Sequence, residues 1–248
     1  MPEQNPNQFS HNEHPVEFVP PSEATERYKS LGRRATHELL KNVHLEQQLL
    51  TDQLTGLPNE TAYKLALQQA IDLENAKGYE KDAETNLAIL EIDVDGFKGV
   101  NDTFGHSTGD KVLQLIGDAL ERGVRKSDMP THLGDKSVND TDKQGTNGAK
   151  VAHKHGDEFG IILTAVTPEK PADPDMKPAQ RLDAVKGRVG ASVTGAIANS
   201  EHNGKLLELG VGVSIGATFY KARESVEAFL ERADALMYAD KLARKAGR

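Results

Sequence analysis

Cysteine and tryptophan are absent from this chain of 248 residues, and only 37% of its residues are hydrophobic. The absence of cysteine excludes disulfides, thiolate zinc sites and cysteine nucleophiles, so histidine, aspartate and glutamate remain as candidate metal ligands. No apolar run is long enough to cross a bilayer, and no signal-like segment follows Met1. We therefore expect a cytoplasmic protein that is not inserted in a membrane.

An excess of basic charge is also lacking, since 38 acidic side chains outnumber 30 basic ones and the formal net charge is −8. Phosphates would on average be repelled, which disfavours a general nucleic-acid or anionic-membrane binder. Any phosphate ligand must therefore be bound by a local device, such as a metal ion or the N-terminus of a helix.

The chain divides into a tail, a helix and a domain. Residues 1–21 are rich in Pro, Asn and Gln and show no periodicity, which predicts a flexible tail. Residues 22–50 read as one long helix, which we expect to pack on the domain or to pair with a second copy. Residues 51–248 form the domain, with a polar excursion at about 129–149 and a Pro-rich loop at 167–180.

Within the domain, apolar strand-like runs alternate with amphipathic helical segments. Residues 150–154 are expected to form a hairpin with the strand that follows Gly156. This order predicts an α+β fold in which a central mixed sheet is covered by helices, with residues 22–50 as an N-terminal helical extension.

Two predicted strands carry acidic residues at one end. Asp93 and Asp95 are two apart and so face the same side of an extended strand, while Asp157 and Glu158 precede another apolar run. A pair of this kind is often only a solvated turn. Mg²⁺ would relieve the repulsion between such carboxylates and would leave positions for substrate phosphates. Asp93 with Asp157 or Glu158 therefore forms a candidate Mg²⁺-triphosphate site, with basic residues within reach at Lys98, Lys241, Arg244 and Lys245.

Five segments resemble the GGDEF family, the diguanylate cyclases. They read DQLTGLPNE, EIDVDGFKGVNDTFGHSTGD, HGDEF, GVGVSIGAT and ADALMYADK, in the family's order, and span about residues 52–245. The resemblance implies an adenylyl-cyclase-like sheet sandwich that binds one GTP per domain. It further implies that two domains meet as a homodimer and condense two GTP into cyclic di-GMP, releasing pyrophosphate.

The resemblance also implies roles for individual residues. Asp93, Asp157 and the carbonyl of Val94 would bind Mg²⁺ (or Mn²⁺), and Asp157 or Glu158 would act in catalysis by taking a proton. The remaining predicted contacts are with GTP, and they are made by Asn101, His106, Asp110, Phe97, Lys98, Gly156, Lys241 and Lys245. A carboxylate at Asp110 can accept the guanine N1 and amino hydrogens, which adenine does not offer.

Departures from the family's pattern leave an alternative function open. The signature reads HGDEF, with His155 where the family has its first glycine, and an imidazole there would crowd the ribose or the α-phosphate. The family's product-inhibition motif is matched by Arg125 and Asp128, but roughly 20 extra residues separate it from the signature. The alternative is a catalytically weak GGDEF module that binds GTP or cyclic di-GMP and signals through a protein partner.

Overall fold

The computed structural model describes residues 49–134, 156–164, 166 and 176–247, all of which belong to one compact unit, Gln47–Arg248. The predicted tail 1–21 and all but the last two residues of the predicted helix 22–50 lie outside the described residues. So do residues 135–155, which include most of the predicted excursion. In the part of the chain that is described, no helix combines the length and apolarity that a bilayer span requires.

The strands form a four-stranded sheet. They are β1 (Glu84–Asp95), β2 (Met129–His132), β3 (Glu158–Leu163) and β4 (Gly212–Lys221), in the order β2-β3-β1-β4. The helices are α1 (Glu60–Asn75), α2 (Phe97–Phe104), α3 (His106–Gly123), α4 (Pro178–Ala198), α5 (Asn203–Glu208) and α6 (Val226–Ala246). The α+β class is confirmed, but every strand pairing in the described residues is antiparallel, so the predicted mixed sheet is wrong there.

Strand β1 lies at the centre of the fold because its apolar run is buried on both faces. Leu90 and Ile92 pack in the cluster that contains Ile116 of α3 and Val189 of α4. Ile89 and the other odd-numbered apolar positions of β1 pack in the cluster formed with α1 and α6. Helices therefore cover both faces of the sheet, and the strand's period of two decides which helix each β1 side chain meets.

Two helices begin at residues whose side chains satisfy free backbone amides. Asn59 precedes α1, and its side chain accepts a hydrogen bond from the amide of Ala62 at 3.1 Å. Ser225 accepts from the amide of Ala228 at 3.1 Å and starts α6. Helix α4 begins at Pro178, inside the predicted loop 167–180, because proline is well suited to the first turn of a helix.

Beside β3 the structure differs from the prediction in one respect. The excursion was expected from residue 129, yet Met129–His132 form β2, which pairs with β3 from Met129↔Ile162 to His132↔Phe159. Residues 150–154, the predicted hairpin partner of β3, lie outside the described residues. The sequence of β2 hides its role because it has only four residues and one is Pro130, a residue confined to sheet edges.

Candidate active site

The central strand ends in two buried carboxylates, Asp93 and Asp95. As odd-numbered residues of β1 they lie on the face that α1 and α6 cover. They are exposed by only 8% and 5%. Ser214 of β4 donates its hydroxyl to Asp95, at 2.9 Å from Oδ1 and 3.0 Å from Oδ2. The strand end therefore holds two neighbouring negative charges that require compensation.

Lys241 of α6 supplies positive charge to these carboxylates. Its Nζ atom donates to Asp93 Oδ2 at 2.5 Å. Burial alone would lower the pKa of Lys241, but the hydrogen bond to Asp93 and the charges of Asp93, Asp95 and Asp157 outweigh burial and raise it. One ammonium group is thus stabilised by carboxylates from β1 and from the turn that precedes β3.

The turn before β3 is attached directly to the end of β1. The carbonyl of Asp157 accepts a hydrogen bond from the amide of Val94 at 3.1 Å. Glu158 is the first residue of β3 and the cross-strand partner of Asp93. These pairings bring the acidic residues of the two sequence segments to one end of the sheet.

A cavity of about 220 Å³ opens at this end of the sheet. Its walls combine carboxylates, cations and the backbone around a glycine turn. The lining residues are Val94, Asp95, Gly96, Phe97, Lys98, Asp157, Lys241, Arg244 and Lys245. Such a mixture of fixed cations and carboxylates is suited to an anion that binds together with a divalent cation, such as a nucleoside triphosphate.

The donor atoms at this cavity suit a hard divalent cation. Among the described residues, no group of three or more histidines and carboxylates is placed to hold a metal ion. Mg²⁺ needs only one or two carboxylates when water and substrate phosphates complete its shell. The carboxylates of Asp93 and Asp157 therefore fit a magnesium ion that is bound together with phosphate, and they do not fit a self-sufficient structural metal site.

Helix α2 begins at the cavity. Gly96 precedes it with a φ of 75°, and a Cβ atom at Gly96 would lie 2.7 Å from the carbonyl oxygen of Leu209. Only glycine fits this turn, which brings Phe97 and Lys98, the first residues of α2, to the cavity. The N-terminus of a helix favours negative charge, so the turn adds to the positive wall of the cavity.

Asn101, His106 and Asp110 lie around the junction of α2 and α3. Gly105 forms this junction with a φ of 79°. The Oδ1 atom of Asn101 is buried and has no hydrogen-bond partner within the described ranges. It packs against Gly109, the neighbour of Asp110. An unsatisfied buried acceptor costs about 1–3 kcal/mol, so a ligand that brings an N–H donor to Asn101 would be favoured.

Asp240 of α6 orients the basic end of the same helix. Its Oδ2 atom accepts from Arg244 Nε at 2.9 Å and from the backbone amide of Ile215 at 3.0 Å, and Lys186 Nζ lies 3.3 Å from Oδ1. Burial would raise the pKa of Asp240, but the hydrogen bond from Ile215 and the two cations lower it. The carboxylate therefore stays ionised and holds Arg244 near the cavity.

Asp52, in the segment before α1, contacts His132 at the end of β2. Asp52 accepts from the amide and the hydroxyl of Thr55, at 2.8 and 2.7 Å. Its Oδ1 atom lies 2.9 Å from Nδ1 of His132, although the two groups are not aligned for a regular hydrogen bond. Burial raises the pKa of Asp52, but the contacts with His132 and Thr55 lower it from 3.8 to about 2. On its other side, His132 Nε2 lies 3.1 Å from the carbonyl oxygen of Gly156.

Arg125 and Asp128 line a second cavity, of about 200 Å³, which shares no lining residue with the first. The backbone amide of Arg125 donates to Asp128 Oδ2 at 3.0 Å, which fixes the turn before β2. Arg181 and Arg188 of α4 also line this cavity. Three guanidinium groups around one concave surface suit an anionic ligand.

The structure thus places the predicted site residues in three groups. Val94, Phe97, Lys98, Asp157, Lys241 and Lys245 line the first cavity, with Asp93, Gly156 and Glu158 adjoining it. Asn101, His106 and Asp110 surround the junction of α2 and α3, and Arg125 with Asp128 lines the second cavity. Asp95, Asp240 and His132 were not predicted as site residues. The Asp-x-Asp spacing gave a signal for Asp95, whereas no local pattern marks the other two.

Comparisons with known proteins identify the domain. Residues 49–138 match the family model described as "Diguanylate cyclase, GGDEF domain". Diguanylate cyclase DgcP of Pseudomonas aeruginosa is 32% identical over 208 residues, which cover 83% of this chain and 24% of that protein. The response regulator PleD of Caulobacter vibrioides is 29% identical over 226 residues, which cover 90% of this chain and 41% of that protein. The chain therefore spans less than half the length of these curated relatives.

A solved structure shows the same fold. The coiled coil and GGDEF domain of DgcB from Caulobacter crescentus, in complex with c-di-GMP, superposes with a TM-score of 0.57 at 23% identity. The match covers 90% of this chain and 95% of that one. This likeness concerns the fold, and the family model together with the curated relatives shows that the chain belongs to the GGDEF domain family.

Proposed function

We propose that this protein is a diguanylate cyclase, which joins two molecules of GTP into cyclic di-GMP and releases two pyrophosphates. The observation that carries the proposal is the cavity at the end of β1, where Asp157 and the buried pair Asp93 and Asp95 face Lys241. The similarity to the diguanylate cyclases of Pseudomonas aeruginosa and Escherichia coli supports the same assignment.

The two ends of GTP would be bound by different groups. Asn101 and Asp110 would read guanine, because the free Oδ1 acceptor and a carboxylate match its amino and N1 hydrogens. Lys98, Arg244, Lys245 and the first amides of α2 would bind the triphosphate. His106, at the start of α3, and Phe97 would flank the nucleotide between these two ends.

Mg²⁺, or Mn²⁺ in its place, would be held by Asp93, Asp157 and the carbonyl of Val94. When bound, the ion supplies Lewis acidity at the α-phosphate. Asp157 or Glu158 would accept the proton of the attacking 3′-hydroxyl. Each attack forms one bond to an α-phosphorus and breaks that phosphorus's bond to pyrophosphate, so two such steps close the cyclic product.

The reaction requires two copies of the chain. Each domain offers one cavity of this composition in its described residues, and each product needs two nucleotides. The homodimer would bring the 3′-hydroxyl of one bound GTP to the α-phosphate of the other. Arg125 and Asp128, with the arginines of α4, would bind the anionic product in the second cavity and inhibit the enzyme.

The test is to incubate the purified full chain with GTP and Mg²⁺ and to detect cyclic di-GMP by chromatography. Asp157→Ala should abolish product formation at an unchanged melting temperature. The matched control is Asp118→Ala, which removes an exposed carboxylate from α3 and should leave turnover intact. Undiminished turnover in Asp157→Ala would contradict the metal assignment, and no product from the wild-type chain would contradict the proposed activity.

A second experiment tests the reading of the base. Asp110→Ala should weaken GTP binding and reduce the preference for GTP over ATP, because guanine loses the acceptor for its N1 and amino hydrogens. Titration calorimetry with both nucleotides in Mg²⁺ measures this preference. An unchanged ratio of the two dissociation constants would refute the assignment of Asp110.

A further inference from the structure

Strands β2 and β3 form a hairpin whose two strands are joined through residues 135–155. These joining residues lie outside the described residues, but the structure describes the chain on both sides of them. His132 pairs with Phe159, and the amide of Leu133 donates to the carbonyl of Glu158 at 2.9 Å. The next step of this antiparallel register sets Gly134 opposite Asp157. The chain therefore leaves the hairpin at Gly134.

The returning end of the hairpin is fixed by contacts with residues outside the segment. His132 Nε2 lies 3.1 Å from the carbonyl oxygen of Gly156. The carbonyl of Asp157 accepts from the amide of Val94 at 3.1 Å. The residues at the start of β3 are thus held by β1 and β2.

Joining Gly134 directly to Gly156 produces the sequence Leu-Gly-Gly-Asp-Glu-Phe, which contains the letters that name the family. In the observed register the turn would then consist of Gly134, Gly156 and Asp157. Three-residue hairpin turns are common and place glycine where φ is positive. The register and the sequence therefore agree on where the signature is divided.

We propose that Gly134, and not His155, is the first glycine of this chain's signature, and that residues 135–155 are inserted between Gly134 and Gly156 and are dispensable for nucleotide binding. Gly134 is buried and brings no side chain to the position opposite Asp157. His155 consequently does not replace a glycine next to the α-phosphate. The nucleotide part of this inference rests on the proposed function, whereas the division of the hairpin does not.

The experiment compares four variants of the full chain. The first deletes residues 135–155, and the second replaces them with a Gly/Ser segment of equal length. The third is His155→Gly, and the fourth is Gly134→Val, which introduces a β-branched residue at a turn position. For each variant, calorimetry measures the affinity for a non-reactive GTP analogue in Mg²⁺, and thermal melting reports the fold.

We expect the first three variants to bind the analogue within about twofold of the wild-type chain and the deletion to melt at the same or a higher temperature, because closing a shorter connection costs less chain entropy. Gly134→Val should bind the GTP analogue at least tenfold more weakly than the wild-type chain, at a temperature at which the variant is still folded. Gly134→Ala should recover part of this affinity. A folded deletion variant that no longer binds, or a gain of affinity in His155→Gly, would overturn the inference. A deletion variant that does not melt cooperatively would also overturn it.

The outcome for the hairpin is separable from the outcome for the activity. If the wild-type chain does not bind the GTP analogue, the proposed function fails, and hydrogen exchange at the amide of Leu133 then decides the inference. Protection of that amide in the deletion variant supports an intact hairpin. Loss of protection in an otherwise folded variant contradicts it.

Discussion

Gly109→Ala should impair the recognition of guanine while leaving the fold intact. A Cβ atom at this position would overlap Asn101 Oδ1 and lie 3.0 Å from Asn101 Cγ and 3.3 Å from Phe97 Cζ. The overlapping atoms belong to the far end of a flexible side chain, so Asn101 can rotate without a shift of α2 or α3. Rotation carries the amide away from the position in which its oxygen is buried without a partner.

The substitution should weaken GTP binding and should change the stability of the fold only slightly. Losing a hydrogen bond between Asn101 and the base costs about 1–3 kcal/mol, which corresponds to roughly a 5-fold to 150-fold weaker affinity for GTP. Replacing glycine by alanine inside a helix stabilises the fold by about 0.5–1 kcal/mol, less the cost of moving Asn101. Stability should therefore stay within about 1 kcal/mol of the wild-type value.

Calorimetric titration with GTP and ATP, together with thermal melting, measures both quantities. Gly117→Ala is the matched control, because it lies on the same helix and its Cβ atom would meet Leu57 Cδ1 and Thr55 Cβ at 3.4 Å, near ordinary contact. This control should melt normally and bind GTP normally. A Gly109→Ala variant whose affinity for GTP stays within twofold of the wild type would refute the assignment of Asn101 to the base.

Three further substitutions have defined outcomes. Asp52→Asn should lower the free energy of unfolding by at most about 2 kcal/mol above pH 4, because contacts with His132 keep the pKa of Asp52 near 2 in the folded state. This contribution is lost as the pH falls towards 2. Unfolding titrations at pH 3 and pH 7 measure it, and an equal loss at both would contradict the prediction. Gly216→Ala should destabilise the fold by several kcal/mol, because its Cβ atom would overlap the backbone of α6; a melting temperature equal to that of the wild type would contradict this packing. Asp240→Asn should raise KM for GTP more than it lowers kcat, because Arg244 loses its ionic partner; an unchanged KM would show that Arg244 does not bind phosphate.

Periodicity and local spacing account for much of what the sequence predicts. The two-residue period of a strand places Asp93 and Asp95 on one side, and burial of the apolar run around them puts that side under α6. Asn59 could be identified as a helix cap because capping depends on a contact only three residues long. In both cases the determining interaction is local or follows from a simple repeat.

The errors arise where distant parts of the chain determine the structure. Strand β2 is too short and too polar to be recognised until β3 is beside it. Asp240 looks like a solvated helix residue, yet it accepts a hydrogen bond from the amide of Ile215, 25 positions away. The proposal that Gly134, and not His155, begins the signature rests on the register of the hairpin, which adjacent letters of the sequence do not reveal.

The contact between Lys241 and Asp93 couples the affinities for cation and nucleotide. A divalent cation bound by Asp93 must compete with an ammonium group 2.5 Å from the same carboxylate. A phosphate in the adjoining cavity gives the displaced ammonium group of Lys241 a new partner. The phosphate therefore reduces the free-energy cost of replacing Lys241 by the cation. Linked equilibria are reciprocal, and the factor by which phosphate tightens cation binding is the factor by which the cation tightens phosphate binding. The protein should therefore bind Mg²⁺ weakly by itself and take up cation and nucleotide together, as one cooperative event.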